Sequence, residues 1–426
     1  MENVTKKLCA FLDGAHSVFH AVALLEKEMK SAGYVQLHEQ DNWDLQPGGK
    51  YYLIRGGSAL MAFRIPEGTP KGFLMSAGHT DRPTFKVKEN PVLSGAYSRL
   101  AVERYGGMLI APWLDRPLSV AGRAVVETEQ GVESRLVDID RDLLLIPNVA
   151  IHMNRQANDG YKWNPATDTI PLLGAAGGKQ KWEKLLEEAA GGKVLGHDLY
   201  LYVRQKAAVW GMENEFVSSQ ALDDLECVWC CAQGFLQAEP GKNVPVLCAF
   251  DSEEVGSSSL QGAASDLLES LLERICCARG WNLKQMLAGS FMISADNAHA
   301  IHPNHPEFSD AANAPVVNGG IVLKFNANQR YTTDGVSAAV FRKVCQKADV
   351  PVQTFCNRAD MPGGSTLGNI SLCHVSIPSV DIGLPQLAMH SCYESAGVKD
   401  ADYLQQAMAC YYSADLEISG PGAYKI

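Results

Sequence analysis

The second half of the chain alternates predicted strands with long helices, and this alternation restricts the possible folds more than any other feature of the sequence. Apolar periodicity and turn residues predict helices over 18–29, 222–237 and 259–280 and strands over 51–55, 60–64, 72–77, 244–250, 291–294 and 322–326. Strands that alternate with helices form a central sheet with helices on both faces. The sequence therefore predicts an α/β fold built on a central sheet.

A stretch of different texture separates the two halves. Between about 91 and 212, short alternating segments such as SVAGRAVVE and SRLVDID are divided by turn residues, which predicts mostly β structure. Within it, the charged segment KQKWEKLLEEAA lies between two Gly-Gly pairs and predicts one helix. A chain of 426 residues is long enough for two or three domains. We therefore expect one α/β domain formed by 1–90 and 213–426, interrupted by an inserted β-rich domain at 91–212.

Charge and cysteine usage argue against several classes of protein. The chain has 37 Lys+Arg and 48 Asp+Glu, a net charge of −11, which does not suit a nucleic-acid binder or a polybasic membrane surface. No segment approaches the roughly 20 apolar residues that span a bilayer, and Asp13 interrupts the N-terminal apolar stretch before a signal peptide could form. The 12 cysteines are scattered or adjacent in a long chain, so we expect a reducing, cytoplasmic setting.

Histidines and carboxylates collect at the ends of the predicted strands. His79 and Asp81 follow one strand in SAGHTD, and a histidine beside a carboxylate is a common metal-ligand pair. Another buried strand ends in CAFDSEE, where Asp251, Glu253 and Glu254 repel one another unless a cation offsets them. Adjacent glutamates can divide the work, one binding metal and the other accepting a proton from water. A hydrogen-bonded loop pair and a solvated acidic loop are the alternatives.

Three further segments offer ligands. Asp223 and Asp224 open an apolar helical stretch, where the helix dipole alone would also favour acidic residues. Asp296 follows the strand FMIS, and His390 follows the apolar run LAM, where a lone histidine is more often a core or surface residue than a ligand. Taken together, the strand-end and helix-start segments supply the ligand set of a two-metal hydrolase with a bridging carboxylate.

Two other motifs carry less weight. The histidines after Asp296 recur at three-residue intervals, but they lack the HExxH spacing and Pro303 would end a helix among them: His299, His302 and His305. Cys227 and Cys230 form a CxxC, yet they lie in an apolar helical stretch beside a third cysteine. Core packing is therefore preferred to a redox role.

Nine ordered blocks of sequence resemble the aspartyl aminopeptidase family of metallopeptidases almost from end to end. They are GHTDRP, YGGMLIAPWLDRPLSVAGR, IPNVAIHMNR, LDDL, DSEEVGSSSLQGA, SADNAHAIHPN, KFNANQRYTTDG, MPGGSTLG and DIGLPQLAMHS. The resemblance implies a catalytic domain with a mixed sheet flanked by helices, interrupted by a β-rich dimerisation domain. It also implies dimers that build a tetrahedral dodecamer, with active sites that face an inner chamber and accept peptides.

The resemblance implies an activity and the residues that perform it. The activity is removal of N-terminal residues, acidic Asp or Glu, by two divalent ions per subunit, with zinc expected and cobalt or manganese as alternatives. The implied ligands are His79 and Asp296 for one ion, Glu254 and His390 for the other, and Asp223 as the bridge. The implied catalytic residues are Glu253, the general base, and Asp81, which orients His79.

Three residues are implied in substrate binding. Lys324 would place a cation near an acidic N-terminal side chain, although a solvated strand lysine is the alternative. His152 would look from one subunit into the active site of its neighbour, and His302 is the third candidate. A carboxypeptidase or deacylase with the same ligands stays open, because fold and metals do not fix which end of a peptide is held. So does a shell or cargo protein without activity.

Overall fold

The computed structural model describes residues 2–426, which form a mixed α/β fold. The helices in this range are α1 (Glu2–Gly14), α2 (Val18–Ser31), α3 (Gly178–Ala190), α4 (Leu222–Gln237), α5 (Leu267–Arg279), α6 (Leu283–Ala288), α7 (Gly335–Ala348), α8 (Leu367–Ser371) and α9 (Asp400–Tyr412). Short 3-10 turns occupy Ala111–Trp113, Glu253–Val255 and Pro306–Phe308.

The strands of the described residues are short and numerous. In chain order they are β1 (Val35–Gln36), β2 (Lys50–Arg55), β3 (Ala59–Arg64), β4 (Phe73–His79), β5 (Thr84–Leu93), β6 (Tyr97–Tyr105), β7 (Leu118–Thr128), β8 (Gly131–Asp138), β9 (Leu172–Ala175), β10 (Val194–Val203), β11 (Ala208–Trp210), β12 (Phe216–Ser219), β13 (Val244–Phe250), β14 (Phe291–Ala295), β15 (Ala298–His299), β16 (Ile321–Phe325), β17 (Val352–Cys356), β18 (Ser379–Gly383), β19 (Pro385–Leu387), β20 (Glu394–Gly397), β21 (Glu417–Gly420) and β22 (Ala423–Lys425).

The central sheet of the described residues has nine strands in the order β1-β2-β3-β13-β4-β14-β18-β16-β17. Its middle strands β13, β4, β14 and β18 are parallel, whereas β3 and β16 pair antiparallel with β13 and β18. The predicted strands all lie in this sheet, and β4, β13 and β14 are buried on both faces, as their continuous apolar runs require. The predicted α/β fold is confirmed.

Helices cover both faces of this sheet. One face packs against α1, α2, α4, α7 and α9, with Leu225 and Phe235 of α4 fully buried. The other packs against α5 and α6 through residues such as Leu268 and Leu272. The side chains that line each face are the apolar ones of helical periodicity, so burial of these stripes holds the layers together.

A second, six-stranded antiparallel sheet lies within 84–203, in the order β8-β7-β10-β5-β6-β9 among the described residues. It has a hydrophobic core of its own, in which Phe85 and Trp113 stack edge to face. The predicted charged helix is α3, and its Trp182 packs into that core. The limits of the inserted domain at 91–212, and its part in dimerisation, stay predictions.

The predicted helix over 259–280 begins eight residues late, at Leu267. The serine- and glycine-rich segment before it folds into turns, in which Ala264 N–H donates to Ser257 O at 3.2 Å. Serine and glycine favour such turns over a first helical turn. The helix α1 was not predicted from the sequence. None of the helices in residues 2–426 combines the length and apolar character needed to cross a membrane.

Candidate active site

Three neighbouring parallel strands end at one edge of the central sheet and carry candidate ligands there. His79 is the last residue of β4, and it pairs in register with Phe250 at the end of β13. Glu253 and Glu254 follow β13, and Asp296 follows β14 directly. Parallel strands present their carboxyl ends at the same edge of a sheet. These residues therefore lie close together, although they are far apart in the sequence.

Asp223 and His390 reach the same place from other elements. Asp223 and Asp224 lie at the start of α4 with non-helical backbone angles, and both are buried rather than solvated. They are therefore not simple acidic residues of an exposed first helical turn. His390 lies in the loop between β19 and β20, with a positive φ of 66°.

The carboxylate of Asp223 lies between the two histidines. Its Oδ1 is 3.4 Å from His79 Nε2, and its Oδ2 is 3.5 Å from His390 Nε2. His79 Nε2 is also 3.8 Å from Asp296 Oδ1, and His390 Nε2 is 3.4 Å from Glu254 Oε1. The five predicted ligands thus form one cluster in which Asp223 is shared by two halves.

The donor set fits metal ions. Ligand atoms that share a tetrahedral zinc at bonds of about 2.0–2.1 Å lie about 3.3–3.4 Å apart, close to the separations just given. Within residues 2–426, neither Asp223 Oδ1 nor Glu254 Oε1 accepts a hydrogen bond, and a buried, unpartnered carboxylate oxygen is costly. His79, Asp223 and Glu254 also place one ligand atom each within 4.8 Å of one another. Bound cations would satisfy these oxygens.

Asp81 lies two residues beyond β4 and organises the cluster without facing Asp223. Its Oδ1 is 3.3 Å from His79 Nδ1, on the opposite side of the ring from Asp223. The same oxygen accepts the Glu253 N–H at 3.1 Å, and Oδ2 accepts the Glu254 N–H at 3.2 Å. Asp81 therefore fixes the glutamate turn with its carboxylate and the histidine ring with both its carboxylate and its main-chain oxygen, which lies 3.2 Å from His79 Nδ1, as outer-shell partners of metal ligands do.

Burial and neighbouring charges shift the pKa values of the clustered side chains in different directions. Burial opposes charging of His79, but the carboxylates of Asp223, Asp296 and Asp81 outweigh burial and raise the His79 pKa well above its ordinary value. Burial also opposes ionisation of Asp223, yet His390 and His79 lower its pKa. Burial, reinforced by neighbouring carboxylates, raises the pKa of Glu253 to about 7. A carboxyl group with such a pKa can both accept and return a proton near neutrality.

Lys324 on β16 is 2% exposed, so the alternative of a solvated strand lysine is wrong. Its Nζ lies 3.4 Å from Asp296 Oδ2 and donates to Asn297 O at 3.1 Å. The ammonium also lies over the ring of Tyr331, 5.3 Å from its centroid. The lysine thus adjoins the cluster and contacts one of its predicted ligands.

The structure does not bring the other two predicted substrate residues into recorded contact with the cluster. His152 is exposed in the segment between β8 and β9. His302 is exposed, and its Nδ1 accepts the Asn304 N–H at 3.2 Å. His299, the last residue of β15, is exposed as well.

Two residues of the site, Tyr105 and Glu394, were not selected from the sequence, and Asp224 was named there only as a possible ligand. Asp224 accepts the His79 N–H at 3.0 Å, and Tyr105 at the end of β6 donates its hydroxyl to Asp81 Oδ2 at 2.8 Å. Glu394 accepts main-chain N–H groups of two predicted ligands. The doubled aspartate of LDDL was a visible signal for Asp224, and the YGG block was one for Tyr105, whereas Glu394 stands in no recognisable motif.

The segment that follows β6 of the inserted sheet packs against the cluster. After β6 the chain turns at Gly106, whose φ is +75° and where an added Cβ would lie 3.1 Å from Glu254 Cβ. Leu109 N–H then donates to His390 O at 3.0 Å. The YGGML segment therefore packs against predicted ligands of the metal site.

The cysteine motif has a structural role. Cys227 and Cys230 are fully buried in α4, and no disulfide joins the cysteines of residues 2–426. Burial raises the pKa of both thiols well above the ordinary value, so neither forms a reactive thiolate.

A mixed sheet with histidines and carboxylates converging at its carboxyl edge defines a metal-dependent hydrolase. Residues 11–412 match the model of the family described as aminopeptidase I zinc metalloprotease (M18). The chain therefore belongs to this family and is a zinc-metalloprotease-type aminopeptidase. The carboxypeptidase, deacylase and non-catalytic alternatives lose their support.

Relatives and solved structures agree over nearly the whole chain. Proteins named "Probable M18 family aminopeptidase 2" are 42% identical in Clostridium novyi, over 96% of this chain and 98% of the relative, and 40% identical in Pseudomonas aeruginosa PAO1, over 96% and 97%. A chain from the cryo-EM structure of the Ape4 and Nbr1 complex is 35% identical with a TM-score of 0.93, over 97% of this chain and 86% of that one. The S. cerevisiae mApe1 dodecamer is 26% identical with a TM-score of 0.86, over 96% of both chains.

Proposed function

We propose that the chain removes N-terminal aspartate and glutamate from peptides with two divalent metal ions per subunit. The observation that carries the proposal is the position of Asp223, with one oxygen 3.4 Å from His79 Nε2 and the other 3.5 Å from His390 Nε2. A carboxylate shared in this way suits two adjacent ions.

Each ion has its own set of residues in this proposal. His79 and Asp296 would hold one ion and His390 and Glu254 the other, with Asp223 common to both. Histidine nitrogen and carboxylate oxygen suit zinc, and they also suit cobalt or manganese. The unpartnered oxygens of Asp223 and Glu254 support the assignment.

The chemistry follows from Glu253 and its surroundings. Two divalent ions held by these residues would polarise the scissile carbonyl and lower the pKa of water. Glu253, held at its N–H by Asp81, accepts a proton from the attacking water and passes it to the leaving amine. Burial raises the pKa of this carboxyl, which favours its taking up the proton.

Lys324 is the basis for the proposed acidic preference. It is a buried cation beside Asp296, so a substrate carboxylate that reached it would gain a charge-assisted hydrogen bond in a site shielded from water. Purified protein, stripped of metal by chelation and resupplied with zinc, cobalt or manganese, should release aniline from Glu and Asp anilides and much less from Leu, Lys and Ala anilides.

Replacing Lys324 tests the residue behind this preference. In Lys324→Met, KM for the Glu and Asp anilides should rise about 10–100-fold, since a hydrogen bond to a charged group is lost, while kcat/KM for the Leu anilide changes little. Lys343→Met, at an exposed position on α7, serves as the control. Equal losses for all anilides would show that Lys324 acts only through Asp296.

Self-association is part of the proposal. Several large apolar side chains of the inserted region are exposed, among them Met153 at 84% and Val132 at 66%. A contiguous patch of such groups would mark a contact surface, and the S. cerevisiae mApe1 to which this chain is similar is a dodecamer. We expect this chain to form dimers and a dodecamer in the cytoplasm, where its unpaired cysteines are stable.

A complementation experiment tests whether His152 acts on a neighbouring subunit. His152→Ala and Glu253→Gln should each be nearly inactive alone. Co-expressed in equal amounts, they should recover about a quarter of the wild-type activity, because random pairing in a symmetric interface gives some sites both an intact Glu253 and a neighbour's intact His152. A mixture no more active than its components, or full activity of His152→Ala alone, would refute action in trans.

A further inference from the structure

Buried carboxylates outside the proposed ligand set hold the main chain of the ligand residues. Asp81 accepts the N–H groups of Glu253 and Glu254, and Asp224 accepts the N–H of His79. The third such carboxylate, Glu394, accepts N–H groups from two proposed ligands that come from different elements.

Glu394 joins the two sides of the site. Its Oε2 accepts the Asp223 N–H at 3.0 Å, and its Oε1 accepts the His390 N–H at 2.8 Å. The side chain is 1% exposed, so water does not compete for either oxygen. Both contacts use the main chain, which leaves Asp223 Oδ1, Asp223 Oδ2 and His390 Nε2 free to face the cluster.

The backbone of Glu394 is itself fixed. It begins β20 and pairs with Ser219, the last residue of β12, from which the chain runs to Asp223 within four residues. Asp223 and His390 are therefore both close in sequence to the Ser219–Glu394 pair of the five-stranded sheet β11-β12-β20-β19-β15. A displacement of Glu394 would change the separation of these two ligands.

We propose that Glu394 is a positioning residue that sets the spacing between Asp223 and His390 and so the affinity for the ion they share. This inference rests on the ligand assignment of the proposed function. Removal of an outer-shell partner typically lowers metal affinity about 10–100-fold. The affinity for the ion held by His390 and Glu254 should fall by this factor, and the affinity for the ion held by His79 and Asp296 should fall less.

The test is a cobalt titration of the metal-free full-length protein, followed by the visible absorption of bound cobalt. Glu394→Gln is nearly isosteric, but its amide offers one acceptor oxygen and one NH₂ group, so one of the two N–H groups faces a donor. It should bind one cobalt with an affinity closer to that of the wild type and the second about 10–100-fold more weakly. Glu394→Asp retains both oxygens and should lie between the two.

Asp400→Asn is the matched control. Asp400 is another fully buried carboxylate that accepts two main-chain N–H groups, those of Asn318 at 2.6 Å and Gly320 at 2.9 Å, and neither belongs to a proposed ligand. This variant should bind both cobalt ions like the wild type, even where the thermal stability of the metal-free protein falls.

The outcomes separate the inference from its foundation. Two unchanged affinities in folded Glu394→Gln or Glu394→Asp, with two ions bound by the wild type, would overturn the role of Glu394 alone. An equal weakening in Asp400→Asn would also overturn it, since any buried carboxylate would then have the same effect. A wild type that binds fewer than two ions would overturn the ligand assignment, and the role of Glu394 with it.

Discussion

Replacing Glu253 with glutamine should lower kcat by roughly 10²–10⁴-fold, the usual contribution of a general acid-base group, while the metal content stays at the wild-type value. Glutamine preserves the shape of the side chain and the main-chain N–H contact with Asp81, but it cannot accept a proton. The measurement is steady-state hydrolysis of a Glu anilide together with metal analysis of the same preparation.

The adjacent glutamate is the natural comparison. Glu254→Gln alters a proposed ligand whose Oε1 lies 3.4 Å from His390 Nε2, so this variant should lose metal as well as activity. A Glu253→Gln enzyme with unchanged kcat would remove Glu253 from the mechanism. Loss of metal from Glu253→Gln and not from Glu254→Gln would exchange their roles.

Removing the bridging carboxylate should have the second large effect. In Asp223→Ala, affinity for both ions should fall by more than the roughly 10–100-fold typical of outer-shell changes, because both histidines face this one carboxylate. Activity should fall to background at micromolar zinc. The measurement is zinc bound per subunit after dialysis, beside the rate of Glu anilide hydrolysis.

Asp224→Asn, at the adjacent aspartate, is the control for Asp223→Ala. An asparagine oxygen can still accept the His79 N–H, so this variant should keep both ions and most of its activity. However, Asp224, His79 and Asp296 also place ligand atoms within 4.8 Å of one another. Loss of both ions from Asp224→Asn, with retention in Asp223→Ala, would assign the bridge to Asp224 instead.

The central sheet was predictable from sequence because its strands are local features. The run of Val244–Phe250 is wholly apolar and ends abruptly in acidic residues, so both the strand and the polarity of its end could be inferred from a few adjacent residues. The late start of α5 was not inferred, since helix-favouring composition extends across a segment that serine and glycine fold into turns.

The supporting contacts of the site were beyond sequence reasoning because they join distant residues. Glu394 holds Asp223 across 171 positions, and Asp224 holds His79 across 145. Periodicity on β16 did not distinguish a solvated Lys324 from a buried one, because the neighbours that bury it come from other strands and loops. The ligands were selected from strand ends and from a family resemblance, whereas the residues that hold them required coordinates.

The YGGML turn makes the active site depend on the inserted sheet. Tyr105 belongs to the inserted sheet, yet its hydroxyl holds Asp81, while the turn that follows it touches Glu254 and binds the main chain of His390. The inserted region is thus no detachable accessory to a self-sufficient catalytic unit. A trimmed chain that retained only the nine-stranded sheet would lack the hydroxyl that holds Asp81 and the segment that packs against Glu254 and His390, so its site would be incomplete.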